Sequence, residues 1–264
     1  MFDAIRPVPE AWSSPAAHGG RLETLKIPGY SDALVYLPYG YDTGGEAYSV
    51  FYLLHGGGGG PESFFAPDNL LKYQLDHMIE DGDMPPLIVA APTYYAPGWK
   101  DKGIAASGQA VAAFPPVLRE KIIPAVDGAF RSLPDRRHRA IGGFSMGGVA
   151  SWQAFLDVPE LFYWYMPMSG DCWAYGELGG SKHDRATAAL LAEKAEKQDF
   201  YIHALTGDKD IACPNLTAQI EAMRAYPAVF RFGENIRYSV MENGWHDYPY
   251  IRRYIGHALP EFFV

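Results

Sequence analysis

A three-layer α/β sandwich on a mostly parallel sheet of about eight strands is the fold class that this sequence predicts. Three observations predict it. Short apolar runs alternate with stretches of helical length along most of the chain, which is the pattern of βαβ units. Runs such as Ile88-Val-Ala90 are apolar at consecutive positions, as suits strands covered on both faces. One such sheet with its helices uses most of the 264 residues, so residues 21–264 are expected to form a single domain. An irregular arm rich in Pro, Ser, Ala and Gly is expected at residues 1–20.

The elements follow in order. Two β-rich segments, 21–27 and 33–38, open the domain. The apolar run at 48–55 is the first central strand and leads through a glycine-rich loop to a helix near 69–80. The strand at 87–91 is followed by a long loop rich in Tyr, Gly and Trp, then by a helix near 115–130. The strand at 139–144 runs into a helix at 146–157. A strand at 163–168 leads to a polar excursion and a helix near 186–197. The strand at 200–205 precedes a helix near 215–226, and the last strand, 237–242, precedes a helix near 248–259.

Composition removes several function classes. The chain is 48% apolar, 14% aromatic and 20% charged, which supports a large core and excludes disorder. Two cysteines cannot make a disulfide-dense scaffold or a four-cysteine zinc site. Cys172 and Cys213 follow strands expected to be neighbours; two free thiols are expected, with a bridge as the alternative. A net charge of −9 argues against a nucleic-acid partner. The longest apolar runs, 49–54, 86–91 and 161–168, are strand-sized, so no membrane partner is expected. The N-terminus shows no basic segment followed by an apolar one, so either a cytoplasmic protein or a mature secreted form whose targeting segment lies outside this chain is expected. No H-E-x-x-H, C-x-x-C or EF-hand pattern occurs, and no metal or cofactor is expected.

The strongest local signal is Gly142-Gly-Phe-Ser145-Met-Gly-Gly148, a G-x-S-x-G motif between a strand and a helix. A nucleophile in such a strand-to-helix turn needs small neighbours, because a Cβ on either side would clash. Ser145 is therefore the candidate nucleophile. Upstream, His55 begins a run of five glycines to Gly60 after the first central strand. Esterases of the α/β-hydrolase type carry an H-G-G-G-like loop there, whose backbone bends an amide toward the developing oxyanion. The amides of Gly57 and Met146 are the expected oxyanion donors, and His55 is expected to prop the loop. In that fold the acid and the base follow along the chain in the order Ser, Asp or Glu, His. Of the histidines beyond Ser145, His246 lies just past the last strand and is the expected base, ahead of His183, His203 and His257. The acid is expected in Thr206-Gly-Asp208-Lys-Asp210, with Asp210 favoured and Asp208 the fallback.

Together these pieces resemble carbohydrate esterase family 1, and most of all the feruloyl esterase domains attached to bacterial xylanases. The resemblance spans most of residues 21–263. It includes Met166-Pro-Met-Ser-Gly-Asp-Cys-Trp173, Leu205-Thr-Gly-Asp-Lys-Asp-Ile-Ala212, Gln219-Ile-Glu-Ala-Met223 and Trp245-His246. It implies an α/β-hydrolase fold, a triad of Ser145, Asp210 and His246, and a bound phenolic acid near Asp171 and Trp173. The implied activity is hydrolysis of hydroxycinnamoyl esters of plant cell-wall sugars, with acetyl xylan or other short-acyl esterase activity as the alternative. The expected partner is a small-molecule or oligosaccharide ester. A flat apolar slot for the aromatic acyl group is expected from Tyr94, Tyr95 and Trp99, with Asp171, Trp173 and Trp245.

Overall fold

A computed structural model describes residues 5–195 and 198–264. Its centre is an eight-stranded sheet: β1 (Arg21–Leu25), β2 (Ala33–Leu37), β3 (Ser49–Leu54), β4 (Leu87–Ala91), β5 (Arg139–Phe144), β6 (Trp164–Met168), β7 (Tyr201–Gly207) and β8 (Ile236–Met241). The spatial order is β1-β2-β4-β3-β5-β6-β7-β8. β1 and β2 form an antiparallel hairpin, β2 pairs antiparallel with β4, and every later pairing is parallel. This is the mostly parallel eight-stranded sheet that the alternation predicts.

Burial on both faces follows from the period of two along each strand. In β3, Val50, Tyr52 and Leu54 join one core while Phe51 and Leu53 join the other, and all are essentially inaccessible. One face is covered by α1 (Leu71–Glu80) and α9 (Tyr248–Ala258). The other is covered by α2 (Ile104–Ala112), α3 (Phe114–Val117), α4 (Ile123–Ala129), α5 (Met146–Asp157), α7 (Asp184–Ala195) and α8 (Cys213–Met223). The short α6 (Gly179–Lys182) precedes α7.

Several boundaries differ from the sequence expectation. The helix expected at 115–130 is α3 and α4 joined by a π-helical turn, Leu118–Ile122. Pro124 enters α4 without an N–H, so the regular ladder cannot run through that junction. The loop expected between β4 and that helix contains α2. The helix expected near 186–197 begins at Asp184, and residues 196 and 197 lie outside the described residues. Residues 1–4 of the expected arm also lie outside them. The rest of the arm carries a 3₁₀ turn, Glu10–Ser13, docked on the α1/α9 layer. Buried Trp12 anchors it, donating Nε1–H to Asp81 Oδ2 at 3.0 Å. Gly20 N donates to Asp76 Oδ1 at 2.7 Å.

Every residue of the candidate site follows the C-terminal end of a strand. In open parallel α/β sheets that edge is where ligands bind.

Candidate active site

Ser145 sits between β5 and α5 with φ 55° and ψ −115°, a conformation costly for a residue with a side chain. The neighbouring glycines make this turn possible through close approach. A Cβ at Gly147 would stand 2.0 Å from the Leu54 carbonyl oxygen, and one at Gly143 would stand 2.4 Å from the same atom. The elbow thus presses directly on the end of β3, and no larger residue fits at either position.

His246 and Asp210 follow adjacent strands. The turns after β7 and β8 interlock, since a Cβ at Gly207 would meet the Gly244 carbonyl oxygen at 2.2 Å. That contact brings the segment after Gly207 beside the segment after Gly244. His246 Nε2 lies 3.0 Å from Ser145 Oγ, and His246 Nδ1 lies 2.7 Å from Asp210 Oδ1. The same Oδ1 accepts from Ala212 N at 2.7 Å, and Asp210 is 3% exposed. The spacing suits an imidazole that donates Nδ1–H to the carboxylate and turns Nε2 to the serine hydroxyl. Asp208 points elsewhere: its carboxylate is 37% exposed and 3.8 Å from Lys209 Nζ. The other histidines are occupied away from the serine. His203 is buried between Glu261 and Ser239, His257 accepts from Arg6 N, and the His183 ring is 6.0 Å from Tyr175.

The glycine loop folds over the elbow. A Cβ at Gly57 would meet Met146 Cγ at 3.3 Å, so the two expected oxyanion donors lie side by side. Met146 opens α5, where the first amides have no intrahelical acceptor. His55 is buried, its Nδ1 2.8 Å from the Gly56 carbonyl and its Nε2 2.7 Å from Thr93 Oγ1. Burial pushes its pKa down to about 4, so it is a neutral prop for the loop.

A cleft of about 210 Å³ opens beside the serine. Ser145, Met146 and His246 line it, together with Val149, Asp171, Trp173 and Ile211. Asp171 is 2% exposed, with Oδ1 accepting from Trp173 Nε1 at 3.1 Å and Oδ2 from Gly180 N at 2.7 Å. Burial raises its carboxyl above the ordinary range, against the lowering effect of those bonds. Both of its oxygens retain a lone pair for a further donor.

Four of the aromatic residues expected in the acyl slot, Tyr94, Tyr95, Trp99 and Trp245, are not among the cleft walls. Tyr94 is a core residue, 2% exposed and packed at 4.5 Å on His55. Trp99 packs against the core from its loop. Trp245 is 56% exposed beside His246 and is not a cleft wall. Tyr95 is buried, and its hydroxyl accepts from Gly58 N at 3.0 Å. The walls missed by sequence reasoning include the aliphatic side chains of Ile104, Val149, Leu178 and Ile211, together with Ser169, Glu177 and Asn215. No local pattern marks them, because only the assembled fold brings them together. Cys172 is buried and Cys213 half-buried, and both are free thiols. Among the described residues no cluster of His, Cys, Asp and Glu could hold a metal ion.

Comparison with known proteins is consistent with this geometry. A family model described as putative esterase matches residues 27–262. Endo-1,4-beta-xylanase Y of Acetivibrio thermocellus is 35% identical over 98% of this chain, and endo-1,4-beta-xylanase/feruloyl esterase of Xylanibacter ruminicola is 30% identical over 73% of it. The match covers 24% of each of those longer proteins. Among solved structures, an alanine-for-serine mutant of the feruloyl esterase module of Clostridium thermocellum, complexed with sinapinate, superposes with a TM-score of 0.85. It is 31% identical, over 99% of this chain and 94% of that one.

Proposed function

Because the chain belongs to the putative esterase family, we propose that it is a serine esterase that hydrolyses hydroxycinnamoyl esters of plant cell-wall sugars through an acyl-enzyme. One observation carries the reading: the hydrogen-bonded line Ser145–His246–Asp210 opens into a cleft whose lining includes Asp171 and Trp173. The relatives named as feruloyl esterases, and the sinapinate held by one of them, support the same class of acyl group.

The chemistry proceeds in two halves. His246 Nε2 takes the proton of Ser145 Oγ as that oxygen attacks the ester carbonyl carbon. Asp210 holds the imidazole in orientation and stabilises the imidazolium. The carbonyl oxygen becomes an oxyanion bound by the amides of Gly57 and Met146. The C–O bond to the alcohol then breaks, and His246 returns the proton to the departing oxygen. In the second half His246 activates water, which attacks the acyl carbon and frees Ser145.

The aromatic acyl group lies along the cleft, against Val149 and the indole of Trp173. A phenol O–H at its far end donates to the Asp171 carboxylate, whose burial makes an added hydrogen bond favourable. The test compares methyl ferulate, methyl cinnamate and an acetyl ester. The proposal expects methyl ferulate to be the best substrate and Asp171→Ala to erase its advantage over methyl cinnamate. Cleavage of the acetyl ester alone would retain the serine mechanism and discard the aromatic acyl assignment.

A further inference from the structure

Gly57 lies in a run of five glycines, and nothing in the sequence says why its amide, and not a neighbour's, should face the ester. The hydrogen bonds of the loop supply a reason. Gly56 N donates to the Tyr248 hydroxyl at 3.1 Å, and Gly58 N donates to the Tyr95 hydroxyl at 3.0 Å. Gly59 N turns back onto the Gly56 carbonyl at 3.1 Å, and Gly60 N donates to Ser63 Oγ at 3.0 Å. Among the described residues, Gly57 N is the amide of this run that keeps no acceptor within the protein.

Each phenol is itself held. Ser107 Oγ donates to the Lys102 carbonyl at 3.3 Å, so the Tyr95 O–H, 2.7 Å away, donates to Ser107. The protons therefore run one way, from Gly58 N–H through Tyr95 and Ser107 to the start of α2. The Tyr95 oxygen is thereby left as an acceptor toward the loop. Lys102 Nζ adds a bond to the Gly59 carbonyl at 3.3 Å. On the other side, Tyr248 stands two residues past His246, in the first turn of α9. Its ring is wedged edge-on between Phe64 at 5.2 Å and Phe144 at 5.0 Å. The segment that carries the base thus also grips the loop that carries an oxyanion donor.

We propose that Tyr95 and Tyr248 are positioning residues for the reaction: their hydroxyls take the amides on either side of Gly57 and so aim the Gly57 N–H at the ester oxygen. The inference rests on the esterase reading above and goes beyond it, since neither tyrosine is a wall of the cleft. A static amide is worth most where charge develops, because it needs no reorganisation as the oxyanion forms.

The experiment uses Tyr95→Phe, Tyr248→Phe and the double variant, which remove only the hydroxyls. Five quantities are measured: kcat and KM on methyl ferulate, inhibition by phenylboronic acid as a tetrahedral adduct of the serine, inhibition by free ferulate, and the thermal midpoint. Each single variant is expected to lower kcat about tenfold, and the double variant about 10²–10³-fold, the usual worth of one oxyanion donor. Boronate affinity should fall by the same factors, while KM and ferulate affinity stay within about twofold of wild type. Two outcomes would overturn the inference: kcat unchanged in both single variants, or ferulate affinity falling as far as boronate affinity, which marks a general loss of the site. A wild type that cleaves the acetyl ester but not methyl ferulate would sink the acyl assignment alone, and the same ratios would then be read on the acetyl ester. A wild type inactive on both would overturn the esterase reading and this inference together.

Discussion

Asp210→Asn removes a charge while leaving room for both hydrogen bonds that the carboxylate accepts. His246 Nδ1 and Ala212 N both converge on Oδ1, each at 2.7 Å, whereas Oδ2 is buried and has no partner among the described residues. An asparagine can put its carbonyl oxygen at the Oδ1 position and still accept from both donors. The imidazole then keeps its tautomer and orientation, and what disappears is the negative charge facing the imidazolium. At an effective dielectric near 20 and about 4 Å between charge centres, that attraction is about 4 kcal/mol. A neutral hydrogen bond remains in its place, so the barrier should rise by about 3–4 kcal/mol, which is about 10²–10³ in kcat. Asp210→Ala also frees the ring to misorient and should cost about 10⁴. Asp208→Asn, at an exposed turn, should stay within about twofold of wild type. The assay is steady-state hydrolysis of methyl ferulate by the three variants. If Asp210→Asn falls to the level of Asp210→Ala, the argument from the shared oxygen is wrong. If it keeps more than about a tenth of wild-type kcat, Asp210 is not the triad acid.

Other perturbations follow from the same contacts. Gly147→Ala would drive a methyl into the backbone of β3, with 2.0 Å to the Leu54 oxygen, and should lower unfolding stability by more than about 3 kcal/mol in denaturant titrations. Gly45→Ala, with nothing within 4 Å of the added carbon, should change it by less than about 0.5 kcal/mol. His55, held down to about 4 by burial, stays neutral in the folded state while the unfolded chain takes up a proton near pH 6.5. Lowering the pH from about 6.5 to 4 therefore favours unfolding, and that decline in thermal midpoint should shrink in His55→Asn. For Glu261, burial raises the carboxyl, but bonds from His203 and Tyr201 and the charge of Arg237 outweigh it and hold the pKa at about 2. Its stabilisation is complete above the ordinary carboxylate range and is lost as pH falls from about 4.5 toward 2. The acid limb of a stability profile should accordingly be flatter in Glu261→Gln.

The elbow was legible in the sequence because its geometry permits few residue types: two glycines against the β3 backbone admit nothing larger. The placement of His246 and Asp210 beside Ser145 was legible because chain order and strand ends restrict which late residues can reach the elbow. The acyl slot was less so. Tyr94 and Trp99 have the right chemistry after the right strand, yet the packing of His55 and of the core draws them inward. Ile104, Val149 and Ile211 carry no chemical signature and become cleft walls only when α2, α5 and the segment after β7 meet. Helix α2 escaped notice because Gly108 interrupts its helical signal. A Cβ there would come within 3.3 Å of the Trp173 ring, so the indole would have to give by a few tenths of an ångström. Tyr248 gave no sign of a role either, as its hydroxyl acts on an amide almost two hundred residues away in sequence, |i−j| = 192.

The central claim, an acyl-enzyme on Ser145 carrying a hydroxycinnamoyl group, is tested most directly by acid-quenching the protein during turnover of methyl ferulate and mapping its peptides by mass spectrometry. The account predicts a mass increase of one feruloyl group on the peptide containing Ser145, absent from Ser145→Ala. Turnover of the ester with no adduct on that peptide, or an adduct on another residue, would contradict it.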